Sequence, residues 1–137
     1  MPTETMTPPT VSGVTPYINV EGASEASAFY QKAFGAKELM RIPADDGKRL
    51  MHCHLEINGG PLLMSDTWPD EGHPWEPSKS FTMHLQVDDI DAWWTRALDA
   101  GATVAMPVAV MFWGDKYGAL RDPFGVNWSL GQTPKSA

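Results

Sequence analysis

Apolar residues in this chain recur with two periods, and the places where the period changes mark out its elements. Over residues 15–20 the pattern alternates, with Pro16, Ile18 and Val20 against Thr15, Tyr17 and Asn19, which predicts a half-buried strand. The period then lengthens: Ala26, Phe29, Tyr30, Ala33 and Phe34 gather on one helical stripe, with Ser24 available as a cap and Gly35 as a stop. A strand over 38–42 and a turn at Asp45, Asp46 and Gly47 lead into 50–57. There Met51, Cys53, Leu55 and Ile57 alternate with Leu50, His52, His54 and Glu56. Asn58, Gly59 and Gly60 make a hairpin turn, and 62–65 closes the unit.

The same succession then returns. Phe81, Met83, Leu85 and Val87 alternate with Thr82, His84 and Gln86, and Asp89 caps a second helix with Ile90, Trp93, Trp94, Ala97 and Leu98 on its stripe and Gly101 at its end. The two stripes match residue for residue at a separation of 64, while Thr15 and Thr82 lie 67 apart and Gly60 and Gly125 lie 65 apart. The last hairpin, 117–130, turns at Asp122, Pro123 and Gly125, then sets Val126, Trp128 and Leu130 on one face and Asn127 and Ser129 on the other. A strand, a helix and three strands, repeated once, predict an α+β fold of two βαβββ modules, each with its helix on one sheet face and the other face left to curve around a shared space. The expected boundaries are a flexible tail over 1–12 and a single domain over 13–132, then a tail over 133–137. Within the domain, module one spans 13–66, a Pro-rich connector 67–80 and module two 81–131.

Composition narrows the partners. A hydrophobic fraction of 42% and a charged fraction of 20% over 137 residues suit one globular domain. The net charge of −7, with no basic run, makes nucleic acid an unsuitable partner. The lone Cys53 has no partner for an internal disulfide, and no apolar run approaches a membrane span, so the expectation is a cytoplasmic protein away from membranes.

The segments TPYINV, AFYQKAFGA, LQVDDIDAW and DPFGVNWSL, spread from about Val14 to Leu130, together resemble the vicinal oxygen chelate superfamily of glyoxalases, bleomycin-resistance proteins and extradiol dioxygenases. MHCHLEI, LLMSD and FWGDKYG are similar to its PhnB-like branch. The resemblance implies paired βαβββ modules around a U-shaped cavity, usually assembled as a dimer. It also implies, in metal-using members, a His, Gln or Glu near the start of each module's first strand and the end of its last. Here those positions fall on Thr15, Thr82, Met64 and Ser129, none a good divalent-metal ligand. The expectation is therefore a protein that binds a small organic molecule, without a metal or other cofactor, and forms a homodimer. The alternative is a metal-dependent lyase, isomerase or dioxygenase that uses His52, His54 and His84.

Candidate binding residues follow from the alternation. His52 and His54 are two apart on one strand and share the face opposite Met51, Cys53 and Leu55, so both are expected in the cavity, where an imidazole can hold a ligand or move a proton. Thr82, His84 and Gln86 line the corresponding face of the second module, with Tyr17 and Ser129 as further candidates. Arg121 either binds an anionic group or pairs with Glu56 or Asp122. Trp113 and Tyr117, beside Gly114, suit a stacking wall or lid, a plug or a dimer contact, whereas Trp93 and Trp94 belong to the core or a subunit interface. Glycine-rich phosphate loops, nucleophile elbows and paired metal cysteines are absent from the sequence.

Overall fold

The computed structural model of the protein describes residues 11–134. The chain divides between Glu76 and Pro77 into two compact units, each with one helix and one four-stranded mixed sheet. Unit 1 runs β1 (Tyr17–Val20), α1 (Ala23–Phe34), β2 (Lys37–Pro43), β3 (Leu50–Ile57) and β4 (Gly60–Asp66). Its sheet order is β1-β4-β3-β2, with β1 parallel to β4 and the remaining pairs antiparallel. Unit 2 repeats the plan with β5 (Met83–Gln86), α2 (Ile90–Ala100), β6 (Thr103–Val110), β7 (Lys116–Arg121) and β8 (Asn127–Gln132), ordered β5-β8-β7-β6. The α+β fold of two βαβββ modules expected from the periodicity is the fold observed. Most of the expected N-terminal tail lies outside the described residues.

Local chemistry explains the strand limits. Pro16 accepts a bond from the Leu63 N–H at 3.0 Å but has no N–H to return, and the β1 ladder starts at Tyr17. Asn58 at φ 51° and Gly59 at φ 82° form a two-residue turn that sets Ile57 opposite Gly60. Gly60, expected in the turn, is therefore the first residue of β4.

In unit 1 the α1 stripe of Ala26, Phe29, Tyr30, Ala33 and Phe34 is wholly buried and packs over β3, where Cys53 and Leu55 are inaccessible to solvent. Each large apolar side chain so covered contributes about 1.5–3 kcal/mol. In unit 2, Ile90 and Ala97 are the buried residues of α2, while Trp93 and Trp94 are only half-buried. Trp94 lies against its own sheet: a Cβ at Gly118 would stand 2.7 Å from its Cζ3, so the indole needs the bare glycine beneath it.

Capping differs from the expectation at α1. Ser24 lies inside the helix, where its Oγ accepts from Arg41 Nη1, and Gly22 occupies the N-cap with no side chain to offer. Asp66, at the end of β4, supplies the missing acceptor: its Oδ1 takes the N–H groups of Gly22 (2.8 Å) and Ala23 (3.2 Å), and its Oδ2 that of Leu50 (2.7 Å). Unit 2 repeats the device, for Gln132 at the end of β8 accepts from the Ile90 N–H at 2.9 Å, beside the expected cap by Asp89 on Ala92.

Candidate functional site

Strand register gathers the candidates of unit 2. His84 lies opposite Ser129, and Ser129 opposite Ala119; Gln86 lies opposite Gly131, and Gly131 opposite Tyr117. Opposed residues share a face, so His84, Gln86, Ser129 and Tyr117 project together, away from buried Leu85, Leu120, Trp128 and Leu130. The His84 ring is held at both nitrogens, Nδ1 at 2.8 Å from Ser129 Oγ and Nε2 at 2.8 Å from Gln86 Oε1. Gln86 Nε2 donates to Thr133 Oγ1 (2.9 Å) and Asp115 Oδ2 (3.2 Å), which turns its carbonyl oxygen toward His84. That oxygen only accepts, so Nε2 of the imidazole carries the proton, and in the neutral ring Nδ1 receives the Ser129 hydroxyl.

Aromatic groups complete this face. The His84 and Tyr117 rings stack at 6.1 Å and 14°, and Trp113 meets Tyr117 edge-on at 6.0 Å. The turn at residues 111–115, closed by Met111 N–H to Asp115 O at 2.8 Å, puts Trp113 and Asp115 on one short loop, with Gly114 at φ 98°. Gly131 is the space on which the arrangement depends, since a Cβ there would stand 2.5 Å from Gln86 Oε1 and 2.9 Å from His84 Cε1. Asp115, Gly131 and Thr133 are site residues missing from the sequence-based candidates. Thr133 was expected in a tail, and Asp115, although it belongs to the FWGDKYG run that suggested a stacking wall or lid, sits in a turn with no period to show where its side chain goes. Thr82 stays exposed ahead of β5. Arg121 Nη1 donates to Asn127 Oδ1 at 3.2 Å, across the β7–β8 pair.

Unit 1 holds a smaller aromatic pair. Tyr17 Oη stands 3.2 Å from His52 Nδ1, with ring centroids 5.7 Å apart. Burial lowers the pKa of His52, and the neighbouring His54 adds to the effect. Tyr17 and His84 are equivalent first-strand positions, as are His52 and Tyr117 in the third strands, so the two units carry the same pair of ring types in exchanged places. His54 lies opposite Met40 and Leu63, on the side away from Cys53, yet it is only 5% exposed. It lines a small cleft of unit 1 together with Leu39, Glu56 and Pro61. Met64, expected at the cavity end of the last strand, is opposite Cys53 on the buried helix side, so the count from the hairpin glycine slips by one residue.

Two repeated βαβββ modules, each one helix and one four-stranded mixed sheet, place the protein in the class of small α+β proteins built from paired modules. The family model "Glyoxalase/Bleomycin resistance protein/Dioxygenase superfamily" matches residues 11–130, and the chain belongs to that superfamily. It is 45% identical over 125 residues to the uncharacterized protein Mb0911c of Mycobacterium bovis, covering 87% of this chain and 82% of that one. Among solved structures, protein PA1353 from Pseudomonas aeruginosa is similar at 28% identity and TM-score 0.72, with 91% of this chain and 100% of that one covered. A PhnB protein from Bacillus cereus, described as a putative 3-demethylubiquinone-9 3-methyltransferase, shares the fold at TM-score 0.73 and 19% identity, over 89% and 100% of the two chains.

The metal used by some members of the superfamily does not fit the donors found here. Among the described residues no three His, Cys, Asp or Glu side chains stand together to hold an ion, and Thr15, Thr82 and Ser129 offer only hydroxyls.

Proposed function

We propose that the protein binds a small planar organic molecule on the exposed sheet face of unit 2, against the stacked His84 and Tyr117 rings. The observation that carries this reading is the His84 network. Both ring nitrogens are fixed by Ser129 and Gln86, and Gln86 is fixed in turn by Asp115 and Thr133, so the imidazole plane is set before any ligand arrives. A ring laid on that plane gains stacking contact at little conformational cost, with Trp113 as a side wall and the Tyr117 hydroxyl as a polar handle. The chemistry supplied is recognition, through the His84 ring face and the Tyr117 hydroxyl.

Thermal-shift screening with planar phenols and heteroaromatic amides, each beside its saturated ring analogue, tests this reading. At a hundred times its dissociation constant a ligand adds about 2.7 kcal/mol to stability, which a melting curve resolves. Planar compounds should raise the melting temperature and saturated analogues should not, and His84→Ala should remove the difference. Equal shifts for the two series would refute it.

The same reading includes a homodimer. One edge of the unit 2 sheet is β6, where Val104 and Val110 are 49% and 69% exposed, and Phe112 beyond it is 97% exposed. An unpaired edge strand with apolar side chains is a surface that a second copy covers.

A further inference from the structure

A cleft of about 520 Å³ lies in unit 1 among residues of the 44–49 turn, β3 and the start of the connector. We propose that it is a binding site for a small organic ammonium ion that carries an apolar or aromatic group. All its lining residues belong to unit 1, and none is among the ligand-site residues of unit 2.

The connector is built here rather than slack. Trp68 and His73 exchange backbone hydrogen bonds, each 2.8 Å, around the short 3-10 turn Pro69–Glu71. Trp68 is then fixed by Arg49, whose guanidinium lies 4.1 Å from the ring centroid. Arg49 is the one arginine or lysine among the lining side chains, and three of its five N–H donors are taken: Nε reaches Asp46 at 2.7 Å, while Nη1 and Nη2 reach Asp70 at 2.9 and 3.3 Å. The two N–H groups left over sit on different nitrogens, one on Nη1 and one on Nη2, so no free edge remains for two-point binding of an anion.

What remains open in the cleft is apolar surface and negative charge. Met51 is 57% exposed there although it lies on the same strand as buried Cys53 and Leu55, and Trp68 is half-buried. Asp45 and Glu71 also line the cleft, both exposed, and neither has an ion pair among the described residues. A rigid aromatic wall, a thioether and two uncommitted carboxylates select a cation with an apolar body and disfavour a carboxylate of the same shape.

The test uses 2-phenylethylammonium, 2-phenylethanol and 3-phenylpropionate, three probes of one shape and different charge, at pH 8. Binding is followed at the Trp68 indole N–H resonance, assigned by its disappearance in Trp68→Phe. The ammonium should move that resonance at the lowest concentration, the alcohol at a higher one and the carboxylate least. The double variant Asp45→Asn/Glu71→Gln, altered only at exposed side chains, should bind the ammonium roughly tenfold more weakly and the alcohol unchanged. Equal binding of ammonium and alcohol, the same ammonium affinity in the double variant, or a Trp68 resonance unmoved by saturating ammonium would overturn the proposal.

Discussion

Cys53 shows how a single position on a strand is decided by what lies over it. Its thiol faces α1, 3.5 Å from Glu38 Oε1, and burial, with the Glu38 carboxylate acting in the same direction, pushes its pKa up to about 12. Burial alone would raise Glu38 as well, but hydrogen bonds from Arg41 and Ser27 outweigh it and hold that carboxyl below its usual range. A thiol in the unfolded chain ionises from about pH 8.5. Above that pH the unfolded state has lost a proton that the native state keeps, so stability should be full below about 8.5 and fall as pH rises toward 12. The slope from this one group is at most about 1.4 kcal/mol per pH unit. Urea unfolding from pH 7 to 10.5 should show this decline in the native protein and a smaller one in Cys53→Ala; identical declines would contradict the assignment. The side of β3 on which Cys53 lies was legible from alternation. The burial of His54 was not, because alternation gives a face without saying what covers it.

At the scale of elements, each helix depends on a side chain delivered by the last strand of its own unit. Asp66 is 4% exposed and accepts three backbone N–H groups, two at the start of α1 and one at the start of β3. Asp66→Ala would leave those donors buried without acceptors, and a loss of about 2–4 kcal/mol is expected in chemical denaturation. Asp66→Asn, which retains one acceptor oxygen, should lose less. Equal losses in the two variants would show that the acceptor does not matter. The strands and helices themselves were readable, since the Asn58-Gly59 turn and the repeated stripes are local signals. The cap was not, because Asp66 bonds to Gly22 across 44 positions and Gln132 to Ile90 across 42, and no local pattern joins residues so far apart. Ser24 fitted a local rule, but Gly22, in a left-handed conformation at φ 89°, starts the helix one residue before Ala23.

For the whole molecule, the repeat is the feature that organises the candidate site. The same sheet positions hold Tyr17 and His52 in unit 1 and His84 and Tyr117 in unit 2, but only unit 2 adds the Gln86, Asp115 and Thr133 support. A homodimer formed through the β6 edge should have twice the monomer mass by light scattering at micromolar concentration. Val110→Lys, placed at an exposed strand end, should halve that mass without unfolding the chain; a native protein that is already monomeric would refute the dimer. The binding claim itself rests on the placement of His84, and Gly131 controls that placement from beneath. Its φ is not in the left-handed region, so alanine fits the backbone there, and the new Cβ displaces only the ends of the Gln86 and His84 side chains. The most direct test is calorimetric titration of the strongest planar binder from the thermal-shift panel into the native protein and into Gly131→Ala. The expected result is affinity at least about tenfold weaker in Gly131→Ala, about 1.4 kcal/mol, with a melting temperature changed by only a few degrees. An unchanged dissociation constant in a folded Gly131→Ala protein would show that the His84 face is not where the ligand binds.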